Sequence, residues 1–410
     1  MRVAYRLACG SLAFWVLLLG CICLAQTNSL PHPAVSTPAF RPNDPLNAVA
    51  YEHFYNLEYP RAVENFQQIV QRHPDDPFAV NHLLTAVLMR ELYRMGAMNS
   101  GEYANNSFVG DAHHPADPKV KEQIQKLVDR AETLEDARLK ANPKDVDALY
   151  ARGVTRANLS LYTALVERAW FSALRNAVGA RHDHERVLEL DPHYTDAKLV
   201  VGTHLYVLGS LPWSVKVAVA MVGLSGSKEK GIQYLQDVAN SNGESSVDAK
   251  IVLALFLRRE HRYQESLQLI RGLAAAYPRN LLFALEEGNL LRAQGHKTEA
   301  AGVYKRVFDA GREGHYPSLH YELAALSLGD VLSSQKDYRG AAAAYLEVES
   351  VKDADPEYKQ RAALSAGQMY DILSNRAQAV NEYQAVLAVD GKSPQADMAR
   401  KCLQNPCRSQ

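Results

Sequence analysis

The sequence predicts an all-α chain, a solenoid of about seven helix–turn–helix units, and three observations carry that expectation. A Gly is followed twelve positions on by a small residue and four later by an aromatic. This occurs at Gly288, Ala300, Tyr304, at Gly329, Ala341, Tyr345 and at Gly367, Ala379, Tyr383, with periods of 41 and 38 residues. Such self-similarity marks one supersecondary unit stacked repeatedly. Polar turns separate the members of a unit, Gln294 to Lys297 in one copy and Ser334 to Asp337 in the next. Upstream, a Pro stands twelve residues after a small residue in the pairs Ala62/Pro74, Ala131/Pro143, Ala180/Pro192 and Ser266/Pro278. A residue before Pro is pushed out of the α region, so these are helix stops. Gly153, Gly202 and Gly288 each follow a stop by ten residues. The Gly permits two helices to approach closely, and the small and aromatic residues share one face of the second helix.

This unit resembles the tetratricopeptide repeat (TPR) family. The resemblance implies a right-handed α-solenoid of about seven TPR units with two irregular insertions, and a scaffold that binds protein or peptide. It covers residues 46–391, with the irregular stretches at 92–118 and 205–231.

In chain order, the first element is an export signal at 1–25. Arg2 and Arg6 precede an uncharged, mainly apolar run from Leu7 to Leu24, followed by small residues. Two processing sites compete. Cys23-Leu24-Ala25 before Gln26 suits ordinary signal peptidase, whereas Leu18-Leu19-Gly20-Cys21 resembles a bacterial lipobox with Cys21 as the lipidated residue. The expected location is the periplasm or cell envelope, with an outer-membrane lipoprotein as the alternative. Residues 26–45 hold five prolines and read as an extended linker. At the other end, 392–410 reads as a tail carrying Cys402 and Cys407. These either form one small-loop disulfide, as an oxidising compartment allows, or remain two free thiols.

Charge excludes one class of partner. There are 45 Lys plus Arg against 46 Asp plus Glu, and no run of five like charges. Sequence-independent nucleic-acid binding therefore lacks its electrostatic source. A length of 410 residues ordinarily implies two or three domains, but a solenoid grows by nearest-neighbour contacts, so one continuous superhelix is expected after the linker.

The repeat pattern breaks twice. Around residues 92–118, Asp111, His113, His114 and Asp117 give a superficial metal-site appearance. The two His are adjacent, however, and the i, i+4 pairing used for zinc is absent, so no metal is expected. His182 and His184 are two apart on a helix and read as surface. The second break, LVVGTHLYVLGSLPWSVKVAVAMVGL over 199–224, has only His204 and Lys216 able to carry charge. Gly209, Pro212 and Lys216 interrupt it, so it reads as two apolar helices rather than a membrane span. Leu211, Pro212, Trp213, Val217 and Met221 mark this hairpin. It is either packed on all sides or offers an apolar surface to a partner helix, a lipid or a hydrophobic peptide.

The order of an apolar helix, a Leu-Pro turn, a Lys-containing apolar helix and the stretch Gly223-Leu-Ser-Gly-Ser-Lys-Glu-Lys-Gly231 is similar to one region of the eukaryotic tetratricopeptide-39 and inclusion-body-clearance family. The likeness covers roughly 170–240. Here Leu224 stands where that family has an aromatic, and those proteins are intracellular. The chain also resembles exported bacterial TPR proteins of unknown role. Neither resemblance implies a reaction. The Gly223–Gly231 stretch lacks the GxxxxGK[ST] order of a phosphate loop, and Gly226 as turn and Ser227 as helix cap account for it.

No GxSxG elbow, HExxH, CxxC pair or dinucleotide fingerprint is present, so the expectation is a non-enzyme with no cofactor. Aligning the units on their Gly places Tyr150 and Val154, then Asp196, Thr203 and Tyr206, then Arg258, Asn289, Arg292, Asp330, Gln368 and Asp371 on the concave face. Arg258, Asn289 and Arg292 carry the charge and amide chemistry that suits an anionic or extended peptide. The expected function is thus a protein- or peptide-binding adaptor of the cell envelope. The alternative is a lipid- or membrane-interacting protein using the 199–224 hairpin, and an enzyme of unfamiliar type is third.

Overall fold

The computed structural model describes residues 39–98, 117–211, 216, 224–316 and 320–407. The architecture is the expected all-α helical-repeat solenoid, with no strand among the described residues. Seventeen α-helices are described. They are α1 (Leu46–Tyr55), α2 (Tyr59–Arg72), α3 (Pro77–Arg94), α4 (Pro118–Ala141), α5 (Val146–Leu165), α6 (Trp170–Leu190), α7 (Lys198–Ser210), α8 (Lys228–Ala239) and α9 (Ser246–Arg259). The second half holds α10 (Tyr263–Ala276), α11 (Leu281–Ala293), α12 (Lys297–Arg312), α13 (Glu322–Ser334), α14 (Tyr338–Ser350), α15 (Pro356–Ile372), α16 (Arg376–Val389) and α17 (Pro394–Gln404). Consecutive members pair as antiparallel hairpins, α1 with α2 through α15 with α16, and α17 packs on the last pair.

Local chemistry sets the boundaries. α2, α4, α6 and α10 stop two residues before Pro74, Pro143, Pro192 and Pro278, at the expected places. Starts are marked by a cap followed by Pro. Asp76, Asp117 and Asp355 each accept the amide two residues on, and Pro fills the first helical position where its missing N–H costs nothing. Ser227 caps α8 through the Lys230 amide, as the sequence indicated.

The Gly–Ala–Tyr offsets locate the core. Ala300, Tyr304, Ala341, Tyr345, Ala379 and Tyr383 are all buried. Each Tyr ring lies on its own Gly, so that a Cβ on Gly288 would stand 2.7 Å from Cζ of Tyr304. The hydroxyls are satisfied in turn: Tyr304 donates to Asn289, Tyr345 to Asp330 and Tyr383 to Asp371, at 2.7–2.9 Å. In the α5–α6 hairpin a His on α6 takes the place of the Tyr. His184 packs on Gly153 and edge-on to Tyr150, and its Nδ1 donates to the Ala180 carbonyl at 2.8 Å. The surface assignment is therefore corrected for His184, which is 1 % exposed, while His182 is exposed. A ring was needed to fill the space over Gly153, and pairing by spacing alone overlooked it. Between them Asp183 is buried against Arg152 and Arg156.

Two boundaries also move. Residues after 391 were expected as a tail, yet Ser393 caps α17, whose Ala396, Ala399 and Cys402 are buried. The segment read as linker ends earlier than residue 45, because Phe40 and Arg41 are packed into the fold.

The N-terminal hairpin does not end the array in solvent. The Tyr55 hydroxyl donates to Asp248 of α9 at 3.1 Å, and Asn280 Nδ2 donates to the Tyr55 carbonyl at 2.6 Å. The Arg279 side chain pairs with Glu58 and Glu52. Val247, Ile251, Tyr277 and Leu282 pack against the cluster built on α1–α3. The first faces of α9 and α11 are thus partly covered by the chain's own beginning.

Candidate functional site

The expected concave residues fall into two groups. Arg258 and Asn289 do come together, but around a carboxylate. Both carboxylate oxygens of Glu286 accept from Arg258 Nη1 at 2.8 Å, and Asn289 Nδ2 donates to Oε2 at 3.1 Å. Glu286 is buried. The arginine charge is thereby neutralised in place, and the cationic site expected for an anionic peptide is not what these residues form. Asn289, Asp330 and Asp371 serve as acceptors for the packing tyrosines. Arg292 is exposed and Gln368 partly exposed. Thr203 turns inward to the Leu199 carbonyl, and Tyr206 is buried, stacked on Phe256 with its hydroxyl on Glu260. Of the apolar hairpin, Leu211 is described, whereas Pro212, Trp213, Val217 and Met221 lie outside the described residues, as does Cys21. No helix among the described residues is long and apolar enough to cross a membrane. Cys402 and Cys407 are joined in a disulfide, and the Cys407 amide donates to Asp371 at 2.8 Å.

Tyr150 and Asp196 belong to the second group, and they lead to the most developed polar site. It receives Arg41. The guanidinium lies over Phe78 of α3 at 4.3 Å, over Tyr194 at 4.9 Å and over Tyr150 of α5 at 5.3 Å from each ring centroid. Its Nη1 donates to Asp147 at 2.9 Å and to the Tyr194 hydroxyl, and Nη2 faces Asp196 at 3.9 Å. The Arg41 amide donates to Glu244 at 3.2 Å, and Phe40 stacks on Tyr51 at 4.6 Å. The Phe40-Arg41 dipeptide is therefore held at backbone, cation and ring by α1, α3, α5, the turn before α7 and the α8–α9 loop.

The walls are held independently of their occupant. The Asp196 carboxylate accepts the Ser245 amide at 3.3 Å, and Tyr150 and Ser245 share a hydrogen bond of 3.1 Å. Glu244 accepts from Tyr51 at 3.1 Å and meets His82 Nε2. The Tyr194 hydroxyl reaches Asp147 at 3.3 Å, and the Tyr150 ring stacks on Phe78 and leans on Tyr194. A Cβ on Gly243 would crowd the Asp196 carboxylate, which would have to shift.

Burial and charge act in opposition here. Burial pushes the Glu244 carboxyl up, but His82 and Arg41 outweigh it and hold it below the usual carboxylate range. Asp196 goes up, chiefly by burial and then by Glu244, despite Arg41. Asp248, next along, is pushed up to about 7 by burial, with Glu244 and Asp196 adding to the shift against the Tyr55 hydrogen bond. One cation thus stands beside buried acids. Sequence reasoning found Tyr150 and Asp196 through the repeat register. It missed Arg41, Glu244 and Asp248. The only local signals were a charged residue in a Pro-rich stretch and acids four apart at the start of α9.

Residues 285–358 match the tetratricopeptide repeat model, covering two of the three hairpins that carry the Gly–Ala–Tyr spacing. No curated protein matches the chain. Among solved structures, Pseudomonas aeruginosa PilF is similar at 14% identity, covering 61% of this chain and 97% of its own, with a TM-score of 0.37. PilW, a type IV pilus biogenesis factor, is similar at 11% identity over 68% of this chain and 94% of its own, at 0.36. The APC/C hetero-tetramer Cut9–Hcn1 is similar at 12% identity over 87% of this chain and 55% of that one, at 0.45. At these values the likenesses carry no argument about function.

Proposed function

We propose that the chain is a non-catalytic interaction scaffold that binds an extended protein or peptide segment, and that it works in the cell envelope as an exported protein. One observation carries the reading. The array already holds a segment of its own, Phe40-Arg41, through side chains drawn from several hairpins. Stacked hairpins supply a preformed surface that loses little entropy on binding, which is how such a scaffold gains affinity. The envelope location rests on Arg2, Arg6 and the apolar run to Leu24.

The test is crosslinked affinity capture of the full-length tagged protein from its native envelope, with mass spectrometry of bait and captured proteins. A partner retained by the wild type and lost in Asp147→Asn or in Arg292→Ala/Gln368→Ala supports the scaffold. The bait's N-terminal peptide reports processing at Gln26 or Cys21. Capture that ignores all of these variants counts against it.

A second reading has its own observation. Trp170, Phe171 and Leu174 on α6 and Val207 on α7 are among the few exposed large apolar side chains, and Phe171 is 93 % exposed. These helices lead into the apolar 199–224 stretch. A lipid-facing role predicts that Phe171→Asp abolishes flotation with phospholipid vesicles while leaving protein capture intact.

A further inference from the structure

We propose that the recess formed by Phe78, Tyr150, Tyr194, Asp147, Asp196 and Glu244 is an arginine-recognition site, filled in cis by Arg41, and that the partner it serves presents an aromatic–Arg pair. The inference deepens the scaffold reading by naming the ligand chemistry, and rests on it.

The composition of the recess selects the ligand. Three ring faces within 4.3–5.3 Å of one guanidinium carbon, with carboxylates at its edge, match a planar delocalised cation. An ammonium offers neither the flat face nor the forked donors. Glu244 reads the backbone amide of the same residue, and Tyr51 stacks on the ring that precedes it, so the site recognises a residue pair in a polypeptide rather than a free cation. The walls are braced by bonds that do not involve Arg41, among them Asp196 to Ser245 and Glu244 to Tyr51 and His82. The recess therefore persists when the arginine leaves. The Arg41 side chain remains 30% exposed, and it lies on a short segment before α1, so it can leave without unpacking a helix. The tether makes Arg41 a competitor at an effective concentration on the order of millimolar. A partner must displace it.

The probe is a synthetic peptide of the chain's own residues 37–45, Thr-Pro-Ala-Phe-Arg-Pro-Asn-Asp-Pro, titrated into full-length protein by calorimetry. With Arg41→Ala the peptide binds, and its affinity is at least tenfold higher than for the wild type, whose site is occupied. A peptide with citrulline or Lys in place of Arg loses that binding. Circular dichroism establishes that the variant is folded, and Arg41→Lys, which keeps the charge, serves if Arg41→Ala is not. No binding to either folded variant, or equal binding to variant and wild type, overturns the site and leaves Arg41 a structural strut. Capture of a partner that ignores Asp147→Asn but needs Arg292 and Gln368 keeps the scaffold while removing this site from it, so the two readings fail separately.

Discussion

Replacing Gly288 by Ala tests the physical meaning of the repeat. The added methyl would stand 2.7 Å from Cζ and 2.9 Å from Cδ1 of Tyr304. Carbon atoms pack at about 3.5–4.0 Å, so the ring must retreat by roughly 1 Å or the two helices must part. Tyr304 is fully buried and anchored by its hydroxyl to Asn289 at 2.7 Å, so neither movement is free. Overpacking of this kind costs about 1–3 kcal/mol, and loosening the hydroxyl bond adds about 1. Ala gains about 1 kcal/mol over Gly in helix propensity. The balance is a net loss of about 2 kcal/mol. Because a repeat array need not unfold in one step, the loss should be read locally. Hydrogen exchange across α11 and α12 should quicken by more than tenfold, with α16 and α17 unaffected. Tyr304→Leu, which thins the opposing side chain, should recover part of the loss in the double variant. If Gly288→Ala is neutral or stabilising, close helix approach is not what the Gly provides, and the spacing argument loses its basis.

Three further outcomes are expected. Burial holds His184 down to about 4, overcoming its bond to Ala180 and the nearby Asp183, so the fold favours the neutral ring. Stability from this group is intact above its ordinary 6.5 and falls as pH drops to about 4, by about 3 kcal/mol in all, and His184→Gln should flatten that acid limb in melting curves. Asp248 has the opposite sign. Its carboxyl is raised to about 7, so its contribution is full below 3.8 and is lost as pH rises to about 7; the melting-temperature difference between wild type and Asp248→Asn should shift against the wild type across that window. Arg258→Ala removes the cation opposite the buried Glu286 and should cost about 3–5 kcal/mol, whereas Arg258→Ala with Glu286→Gln should recover much of it, as chemical denaturation will show.

The parts legible in the sequence were those written in local period. The Gly–Ala–Tyr offsets placed the tyrosines of α12, α14 and α16 in the core, and Pro74, Pro143, Pro192 and Pro278 placed four helix ends. Ser393-Pro394 had the form of a helix start, but without a following repeat it passed as tail. What stayed hidden was the return of the chain's beginning to its middle. Arg41 meets Glu244 across 203 residues, and Asn280 meets Tyr55 across 225. Contacts at that separation leave no periodicity, and each depends on one or two side chains. The internal pairing of Arg258 was hidden for a related reason. Register identified Arg258 and Asn289, but not that Glu286, one turn away, would be buried between them.

The most direct test of the central claim, that the array grips the Phe40-Arg41 segment through its side chains, is a double-mutant cycle. Arg41→Ala and Asp147→Asn would be measured singly and together by denaturation of the full-length protein. Their atoms are 2.9 Å apart with both side chains part-exposed, and the account predicts a coupling of about 1 kcal/mol, less at high salt. Additive effects, with no coupling beyond error, would mean that Arg41 does not occupy the recess in solution.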